Sequence, residues 1–379
     1  MDFTTRYDSL NVNQRRAVDH IHGPLLVLAG PGTGKTELLS MRAANILRQT
    51  DTLPSNILCL TFTDSGAANM RERLRSIIGA DAYKVAIHTF HSFGTDIIGR
   101  NREYFFRGAE ARPTDELTQY QLLAGLFDQL DWKSPLASKN HDEYVHLRDV
   151  QRTISEFKQS GLTPDELRQI RMDNQRIIDT LVPEIRAIFT GRISKTTIET
   201  FAPLAQTASQ LVDATLPTGI SPYTGRIALS IAHTAQEAID TNSTKPITAW
   251  KNAWCEKDEQ GEFTLKDARH AEKFAATIDL YEAYVAALAE HDLFDYDDMI
   301  LSVLQATREQ PDLAANLREQ YQFVMVDEFQ DTNLAQLRLL FALTGEGRDA
   351  NVRAVGDDDQ AIFSFQGADI GNIQRFREQ

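Results

Sequence analysis

Cysteine is scarce in this chain of 379 residues, which contains only Cys59 and Cys255. Two isolated cysteines form no metal-binding pattern and are typical of a reducing compartment, so we expect a cytoplasmic protein. Long apolar runs are also lacking, because stretches such as 25–29 and 323–326 are far shorter than the roughly 20 residues of a membrane helix. The start, Met1–Thr4, has neither a basic nor an apolar segment, which predicts no secretory signal. We therefore expect no membrane partner.

Positive charge is in deficit, since 39 Lys and Arg stand against 54 Asp and Glu, a net charge of −15 at pH 7. The net charge is +2 over residues 1–110, −7 over 111–290 and −10 over 291–379, and the last part holds the acidic clusters 327–328 and 357–359. No broad basic stripe is visible, so any nucleic-acid binding must depend on local contacts. A hydrophobic fraction of 42% and a charged fraction of 25% are typical of a globular chain with two or three domains.

The most informative stretch begins with four apolar residues, Leu25–Leu28, which predict a buried strand. A glycine-rich turn and a Lys-Thr pair follow, and they predict a phosphate-binding P-loop at the start of a helix. Lys35 is placed to neutralise the β- and γ-phosphates of ATP, and the Thr36 hydroxyl is placed to hold Mg²⁺. The first glycine of the usual pattern is an alanine here. The predicted ATP-binding residues of this loop are Ala29, Gly30, Pro31, Gly32, Thr33, Gly34, Lys35 and Thr36.

A short helix is predicted before this strand, with Asn11 or Asn13 as its N-cap. Gln14, in this helix, stands about 20 residues before the P-loop lysine. Its amide could present a donor and an acceptor to the edge of adenine. The alternative is an exposed helical glutamine without such a role, and the neighbouring P-loop favours the adenine contact.

Two later strands are each predicted to end in polar side chains. After the first, Asp327 is expected to contribute to the Mg²⁺ shell, and Glu328 is expected to orient and deprotonate the attacking water. After the second, the neutral amide of Gln360 could sense a γ-phosphate without adding negative charge. Phe363 and Phe365 follow at once, and their spacing could link the nucleotide state to a stacked base. The predicted catalytic residues are Lys35, Asp327, Glu328 and Gln360.

Two further predicted strands end in aromatic and hydroxyl side chains, where the carboxyl edge of a sheet meets its ligands. This combination suits single-stranded nucleic acid, because a base stacks on the ring and a phosphate accepts from the hydroxyl. Phe62 and Thr63 are the candidates after the first of these strands. The alternative is that Phe62, Phe90 and Phe93 belong to the core, and this alternative is favoured for each of them taken singly.

Helices dominate from about residue 106 to residue 274, and this region shows no catalytic constellation. Gly161 is predicted to follow a helix end, and Thr163 and Pro164 are predicted to begin the next helix. The later pair 297–298 is predicted to be a solvated helix start without chemistry. This middle region is therefore expected to be structural.

Taken together, these motifs resemble those of the UvrD/Rep/PcrA family of superfamily 1A DNA helicases. The resemblance rests on six stretches that follow the family's order, namely 10–14, 29–36, 61–63, 89–93, 326–333 and 355–360. It implies an ATP-dependent enzyme that binds single-stranded DNA, moves from 3′ to 5′ and acts in DNA repair, replication or recombination. It also implies that Phe62, His91 and Phe365 touch DNA.

The resemblance further implies an α/β fold in which residues 1–105 and 275–379 form a parallel, RecA-like P-loop NTPase sheet, domain 1A. Residues 106–274 would form an enlarged, all-helical subdomain 1B, and 174–267 have no counterpart in the family. A second RecA-like domain is absent from the sequence. Because that domain carries the family's arginine fingers, we expect this chain to bind ATP weakly, hydrolyse little of it and not unwind DNA.

Two departures each remove a positive charge near the expected DNA path. Residues 64–66 are Asp-Ser-Gly where the family has Asn-Lys-Ala, and residues 366–368 are Gln-Gly-Ala where it has Arg-Gly-Ala. Two alternatives to a motor half stay open. One is an AddA-type helicase–nuclease subunit, and the other is a non-motor ATP-dependent switch that binds a protein through the helical region.

Overall fold

A computed structural model describes most of the chain, which divides into two compact units. The first unit comprises residues 1–121, 154–162 and 287–379, and the second comprises 122–153 and 163–286. The described residues are 3–105, 111–211, 223–258, 260–266, 268–345, 347, 350–357 and 371–378.

Helices make up most of the described residues, and strands are short. The helices are α1 (Phe3–Ser9), α2 (Val12–Asp19), α3 (Lys35–Gln49), α4 (Asp64–Ile78), α5 (Phe90–Arg100), α6 (Glu116–Phe127), α7 (Leu147–Gln159), α8 (Pro164–Phe189), α9 (Lys195–Gln210), α10 (Tyr223–Asp240), α11 (Lys245–Trp254), α12 (Ala268–Glu290), α13 (Asp298–Glu309), α14 (Pro311–Gln320), α15 (Leu334–Thr344) and α16 (Gly371–Glu378). The strands are β1 (Leu25–Leu28), β2 (Ile57–Thr61), β3 (Ala86–Thr89), β4 (Arg112–Pro113), β5 (Lys139–Asn140), β6 (Glu143–Tyr144), β7 (Cys255–Lys257), β8 (Phe263–Leu265), β9 (Leu293–Phe294), β10 (Phe323–Val326) and β11 (Val352–Gly356).

A five-stranded parallel sheet organises the first unit, with the strand order β1-β11-β10-β2-β3. Strands β2, β10 and β11 are buried along their whole length. This burial agrees with the apolar sequences of β2 and β10, because a parallel sheet is covered on both faces, and β11 adds one buried charged residue, Arg353. The predicted α/β fold with a parallel sheet is confirmed. All five strands end at one edge, called here the carboxyl edge, where the next residues in strand order are Ala29, Asp357, Asp327, Phe62 and Phe90.

The core of the first unit joins the sheet to helices α3 and α4. Apolar residues of α3 recur every three or four positions, so they form one face that packs on the strands. This packing fixes the start of α3, and with it the P-loop, against the ends of β1 and β10. The buried residues of this cluster include Leu39, Ala43, Ile46, Cys59, Met70, Leu74, Ile87, Met325 and Val355.

The second unit has its own core, built by α8, α9, α10 and α11. Phe189, Phe201 and Trp250 meet at its centre, with the Phe201 and Trp250 rings edge to face at 5.4 Å between centroids. Buried residues of this core run from Ile177 to Leu265, so the stretch 174–267 carries a hydrophobic core of its own.

The expectation of an all-helical insertion is wrong in one detail, because the second unit contains two short antiparallel hairpins, β5–β6 and β7–β8. In the first, His141 and Asp142 both have positive φ, as a tight two-residue turn requires. In the second, Asp258 Oδ1 accepts hydrogen bonds from the backbone N–H groups of Gln260 and Glu262, and Gly261 has a φ of +80°. In this second hairpin, side-chain turn chemistry at Asp258 therefore reverses the chain.

The predicted helix boundaries around residue 162 are confirmed. Gly161 has a φ of +70°, and its N–H bonds to the carbonyl of Lys158, as a glycine just past a helix end does. Thr163 caps α8 in a reciprocal pair with Glu166. Helix α8 then runs without a break to residue 189.

Candidate functional site

The P-loop connects β1 to α3 at the carboxyl edge. Gly32 and Gly34 have φ values of +71° and +82°, a backbone region that residues with a Cβ rarely adopt. The Thr33 hydroxyl donates to the carbonyl of Gly30 at 2.7 Å and closes the turn. Because α3 begins at Lys35, the free N–H groups of its first turn and its positive dipole end suit an anion such as phosphate.

The P-loop lysine forms an ion pair with the expected catalytic carboxylate. Lys35 Nζ lies 3.0 Å from Glu328 Oε2, and the lysine side chain is only 8% exposed. Glu328 has a φ of +51°, a strained conformation for a residue other than glycine that costs roughly 1–3 kcal/mol. The strain turns the carboxylate towards the P-loop, and an incoming phosphate would compete with it for the lysine.

The two expected Mg²⁺ ligands lie together. Thr36 Oγ1 donates to Asp327 Oδ2 at 3.0 Å. Burial raises the pKa of Asp327, and the hydrogen bond from Thr36 opposes that rise. A hydroxyl and a carboxylate fit Mg²⁺, which takes few protein ligands and completes its shell with water and phosphate oxygens. Within the described part of the chain, no group of three or more His, Cys, Asp or Glu side chains could hold a metal ion by itself.

Gln330 connects the Lys35–Glu328 ion pair to the end of strand β11. Its Nε2 donates to Glu328 Oε2 at 2.9 Å, and its Oε1 accepts from the backbone N–H of Asp357 at 2.9 Å. A Cβ at Gly356 would lie 2.8 Å from Gln330 Oε1, so a larger residue at the end of β11 would displace this amide. Gln330 was given no role from the sequence: its position two residues after Glu328 signals only the contact with that carboxylate, and not the one with Asp357. Gln360, predicted just beyond this contact, lies outside the described residues.

Gln14 lies over the P-loop, in the third position of α2. It forms a reciprocal cap with Asn11, which confirms Asn11 as the N-cap. Its Nε2 also donates to the carbonyl of Thr33 at 3.0 Å. The amide therefore has two protein partners. Its second N–H and the second lone pair of its oxygen remain for contact with a base.

The aromatic and hydroxyl candidates lie at the other end of the carboxyl edge, after β2 and β3. Phe62 is half-buried, and Thr63 caps α4 by accepting from the backbone N–H of Gly66 at 3.0 Å. A hydroxyl that accepts this bond can still donate its own proton to a phosphate. Phe90 and Phe93 are 2% and 0% exposed, so for these two the core alternative is correct. Phe363 and Phe365 lie outside the described residues.

His91 and Tyr296 form a stacked pair in the same region. Their ring centroids are 3.8 Å apart with 24° between the planes, and Tyr296 is 60% exposed. Burial lowers the pKa of His91 to about 4, so its ring is neutral at pH 7 and offers stacking rather than charge. Tyr296 was missed because it lies in an acidic stretch, although an aromatic there was a signal.

A helix begins at Asp298 as expected, but the acidic stretch beside Tyr296 is largely withdrawn from solvent, so the expectation of a solvated start at 297–298 is wrong. Lys158 Nζ lies 2.5 Å from Asp295 Oδ2 and 2.6 Å from Asp298 Oδ1, and its side chain is 0% exposed. Burial alone would lower the pKa of Lys158, but the two carboxylates outweigh it and raise that pKa. The Ser155 hydroxyl donates to Asp297 at 2.6 Å. These bonds fix the residues on both sides of Tyr296.

Known proteins match this chain over nearly its whole length. The sequence pattern of the UvrD/REP helicase N-terminal domain matches residues 10–379. DNA helicase II of Rickettsia typhi is 28% identical over 375 residues, 98% of this chain and 40% of that protein. ATP-dependent DNA helicase PcrA of Staphylococcus aureus is 26% identical over 369 residues, 97% of this chain and 36% of that protein.

The chain thus spans about 40% of the length of these curated relatives. Among the described residues, no helix combines the length and apolar character needed to cross a membrane. The P-loop, the paired Asp327 and Glu328, and the match from residue 10 onwards lead to one assignment. The chain belongs to the UvrD/REP helicase family and corresponds to its N-terminal domain.

Proposed function

We propose that this chain is the ATP-binding part of an ATP-dependent DNA helicase that couples ATP hydrolysis to 3′–5′ movement on single-stranded DNA. The observation that carries the proposal is the double pairing at 3.0 Å of Lys35 with Glu328 and of Thr36 with Asp327. The relatives are named DNA helicase II and ATP-dependent DNA helicase PcrA, which supports the proposal. DNA repair, replication or recombination is the proposed setting.

On the nucleotide side, the loop 29–36 holds the phosphates, and Gln14 reads the adenine edge. Thr36 and Asp327 would hold Mg²⁺, which supplies charge neutralisation at the phosphates when it is bound. When phosphate occupies Lys35, Glu328 loses its ion pair and becomes available to accept a proton from water. Gln330 keeps that carboxylate in place through its 2.9 Å hydrogen bond. Gln360 is proposed as the γ-phosphate sensor.

On the nucleic-acid side, bases stack on exposed aromatic rings and phosphates accept from hydroxyl groups. Phe62, Thr63 and His91 are the proposed contacts, and Tyr296 joins them because its exposed ring stacks on His91. Phe363 and Phe365 are proposed as further base contacts. Such contacts need no broad basic surface, which agrees with the net charge of −15.

We assign the sheet regions 1–105 and 275–379 to domain 1A and residues 106–274 to subdomain 1B, with 174–267 as an addition. A partner of this chain is then the second RecA-like domain of a longer protein. Because that domain supplies arginine fingers in the family, the 379-residue chain alone is expected to turn over little ATP and not to unwind DNA.

Calorimetric titration with Mg-ATP tests the proposal. Lys35→Ala removes the buried cation and is expected to weaken ATP binding about a hundredfold. Lys84→Ala is the matched control, because Lys84 pairs with Asp81 at 2.8 Å on an exposed surface. Equal affinities of the wild type and Lys35→Ala would refute the phosphate role. Appreciable DNA-stimulated turnover by the 379-residue chain would refute its dependence on a second domain.

A further inference from the structure

The carboxyl-terminal end of helix α2 is held by three buried polar side chains. The last carbonyl groups of a helix have no partner within it and carry its negative dipole end. Arg42 donates to the carbonyls of Ala17 at 2.8 Å and Ile21 at 2.7 Å. These two bonds span the end of the helix. They fix its position along its axis and its rotation about that axis.

Two other donors complete the arrangement. Arg353 Nη2 lies 2.9 Å from the carbonyl oxygen of His20 and 2.8 Å from that of Ile21. Asn45 Nδ2 donates to the carbonyl of Val18 at 3.1 Å. The three side chains Arg42, Asn45 and Arg353, called here the carbonyl clasp, are 2%, 3% and 3% exposed.

The clasp is an unusual way to hold a short helix. Within the described residues, neither Arg42 nor Arg353 forms an ion pair, and the Nε of each is buried without a hydrogen-bond partner. Burial lowers the pKa of Arg42 to about 9, with the nearby Arg353 adding to the shift, and burial lowers the pKa of Arg353 to about 10. Ala17 and Val18 of α2 also pack in a buried apolar cluster with Leu38 and Met41 of α3, so the helix has an apolar anchor besides the clasp. The clasp provides direction, since each hydrogen bond restricts the helix to one orientation.

The clasp connects α2 to the two elements that carry the phosphate site. Arg42 lies in α3, two turns after Lys35, and Arg353 lies in β11, opposite Leu25 of β1. At its other end, α2 places Gln14 against the carbonyl of Thr33 in the P-loop. With a rise of about 1.5 Å per residue, the eight-residue helix is about 12 Å long, so a tilt or rotation at its end displaces Gln14.

We propose that Arg42 and Arg353 are positioning residues for recognition of the nucleotide base: through α2 they aim Gln14, and they leave phosphate binding by the P-loop unaffected. This inference rests on the proposed function, because it assumes that Gln14 meets a base. The proposed role of the clasp is therefore to help the protein discriminate among nucleoside triphosphates by their bases.

The test compares three ligands by calorimetric titration of the 379-residue chain: Mg-ATP, Mg-GTP and Mg-tripolyphosphate, which has phosphates and no base. Arg42→Met and Arg353→Met are expected to weaken ATP binding about tenfold and to bring the ATP and GTP affinities within about twofold. Tripolyphosphate affinity is expected to stay within about twofold of the wild type.

Two further variants keep the test decisive. Arg71→Met is the matched control, because Arg71 also donates to a backbone carbonyl, that of Ile87 at 2.9 Å, but away from α2. It is expected to change none of the three affinities. If a methionine variant fails to fold, Arg42→Lys keeps the charge but cannot span both carbonyls, and it is expected to show the same loss of base preference in weaker form.

Coupling to Gln14 separates positioning from general stability. Gln14→Ala is expected to reproduce the loss of base preference, and adding Arg42→Met is expected to bring little further loss, because both act through one contact. Additive losses, or a parallel loss of tripolyphosphate binding, would overturn the positioning role. Wild-type ATP binding that is insensitive to Lys35→Ala would instead overturn the proposed function, and this inference with it.

Discussion

The two ends of the carboxyl edge differ in how their side chains are held. At the end formed by β1, β11 and β10, polar groups bind one another: Lys35 pairs with Glu328, and Thr36 bonds to Asp327. At the end formed by β2 and β3, the candidates are an aromatic stack of His91 on Tyr296 and a helix cap. The first end is a closed polar network, and the second presents ring surface to solvent.

The difference reflects the chemistry proposed for each end. Phosphoryl transfer needs charges at fixed positions, so its groups are preorganised by bonds that exist before the nucleotide arrives. Base stacking tolerates any sequence and needs only an accessible ring of fixed orientation. We therefore expect substitutions at one end to leave the ligand of the other end bound normally.

The largest expected effect is a loss of stability at the aromatic end. It makes the two ends less different, because the aromatic end also depends on a buried charge. Lys158→Met leaves Asp295 and Asp298 buried without their cation, and such a loss costs about 3–5 kcal/mol. We expect the free energy of unfolding in urea to fall by this amount. We also expect DNA binding to weaken, because these carboxylates flank Tyr296.

The matched control is Lys139→Met, since Lys139 faces Asp128 at 3.6 Å on an exposed surface. An exposed pair contributes about 0–1 kcal/mol, so the unfolding curve is expected to change little. If Lys158→Met lowers the free energy of unfolding by less than 1 kcal/mol, the buried ion pairs do not stabilise residues 295–298.

A smaller effect is expected when one ring is removed. Tyr296→Ala deletes the exposed half of the stack and is expected to weaken binding of labelled single-stranded DNA by about 1–3 kcal/mol in fluorescence anisotropy at low salt. Mg-ATP affinity is expected to remain unchanged. Tyr83→Ala is the control, because Tyr83 is 65% exposed on the first unit without a proposed role. Equal DNA binding by the wild type and Tyr296→Ala would remove Tyr296 from the DNA site.

The smallest effect concerns stability at the polar end. Burial, with Glu328 adding to it, raises the pKa of Asp331 from 3.8 to about 6. A carboxyl with a raised pKa in the folded state favours folding below pH 4, and this contribution is lost as the pH rises through about 6. Asp331→Asn is therefore expected to gain stability over the wild type between pH 4 and pH 7, by an amount on the order of 1 kcal/mol. Parallel stability curves across this range would contradict the shift.

The sequence predicted the polar end better than the aromatic end. A glycine loop, a lysine and two carboxylates are short local patterns, and the parallel sheet brings them together once the strands are recognised. Gln330 was missed because its role depends on the register of β10 with β11, which places its amide beside Asp357. No local pattern reports that register.

The stack of Tyr296 on His91 and the ion pairs of Lys158 with Asp295 and Asp298 could not be predicted from local sequence. Lys158 lies 137 positions from its partner Asp295, and Tyr296 stacks on His91 of a distant helix, so only the fold brings each pair together. The hairpin β7–β8 was missed because an Asx turn at Asp258 has the composition of an ordinary loop. Helix caps were predicted more accurately, since their chemistry involves residues three apart.

The separation of the two ends is tested most directly by one crossed experiment on the 379-residue chain. Mg-ATP binding and single-stranded DNA binding are measured for the wild type, Lys35→Ala and Tyr296→Ala. We predict that Lys35→Ala binds ATP about a hundredfold more weakly and binds DNA as the wild type does. Tyr296→Ala is predicted to bind DNA more weakly by about 1–3 kcal/mol and to bind ATP as the wild type does. If both variants lose both ligands, or if the wild type binds neither, the assignment of one ligand to each end is contradicted.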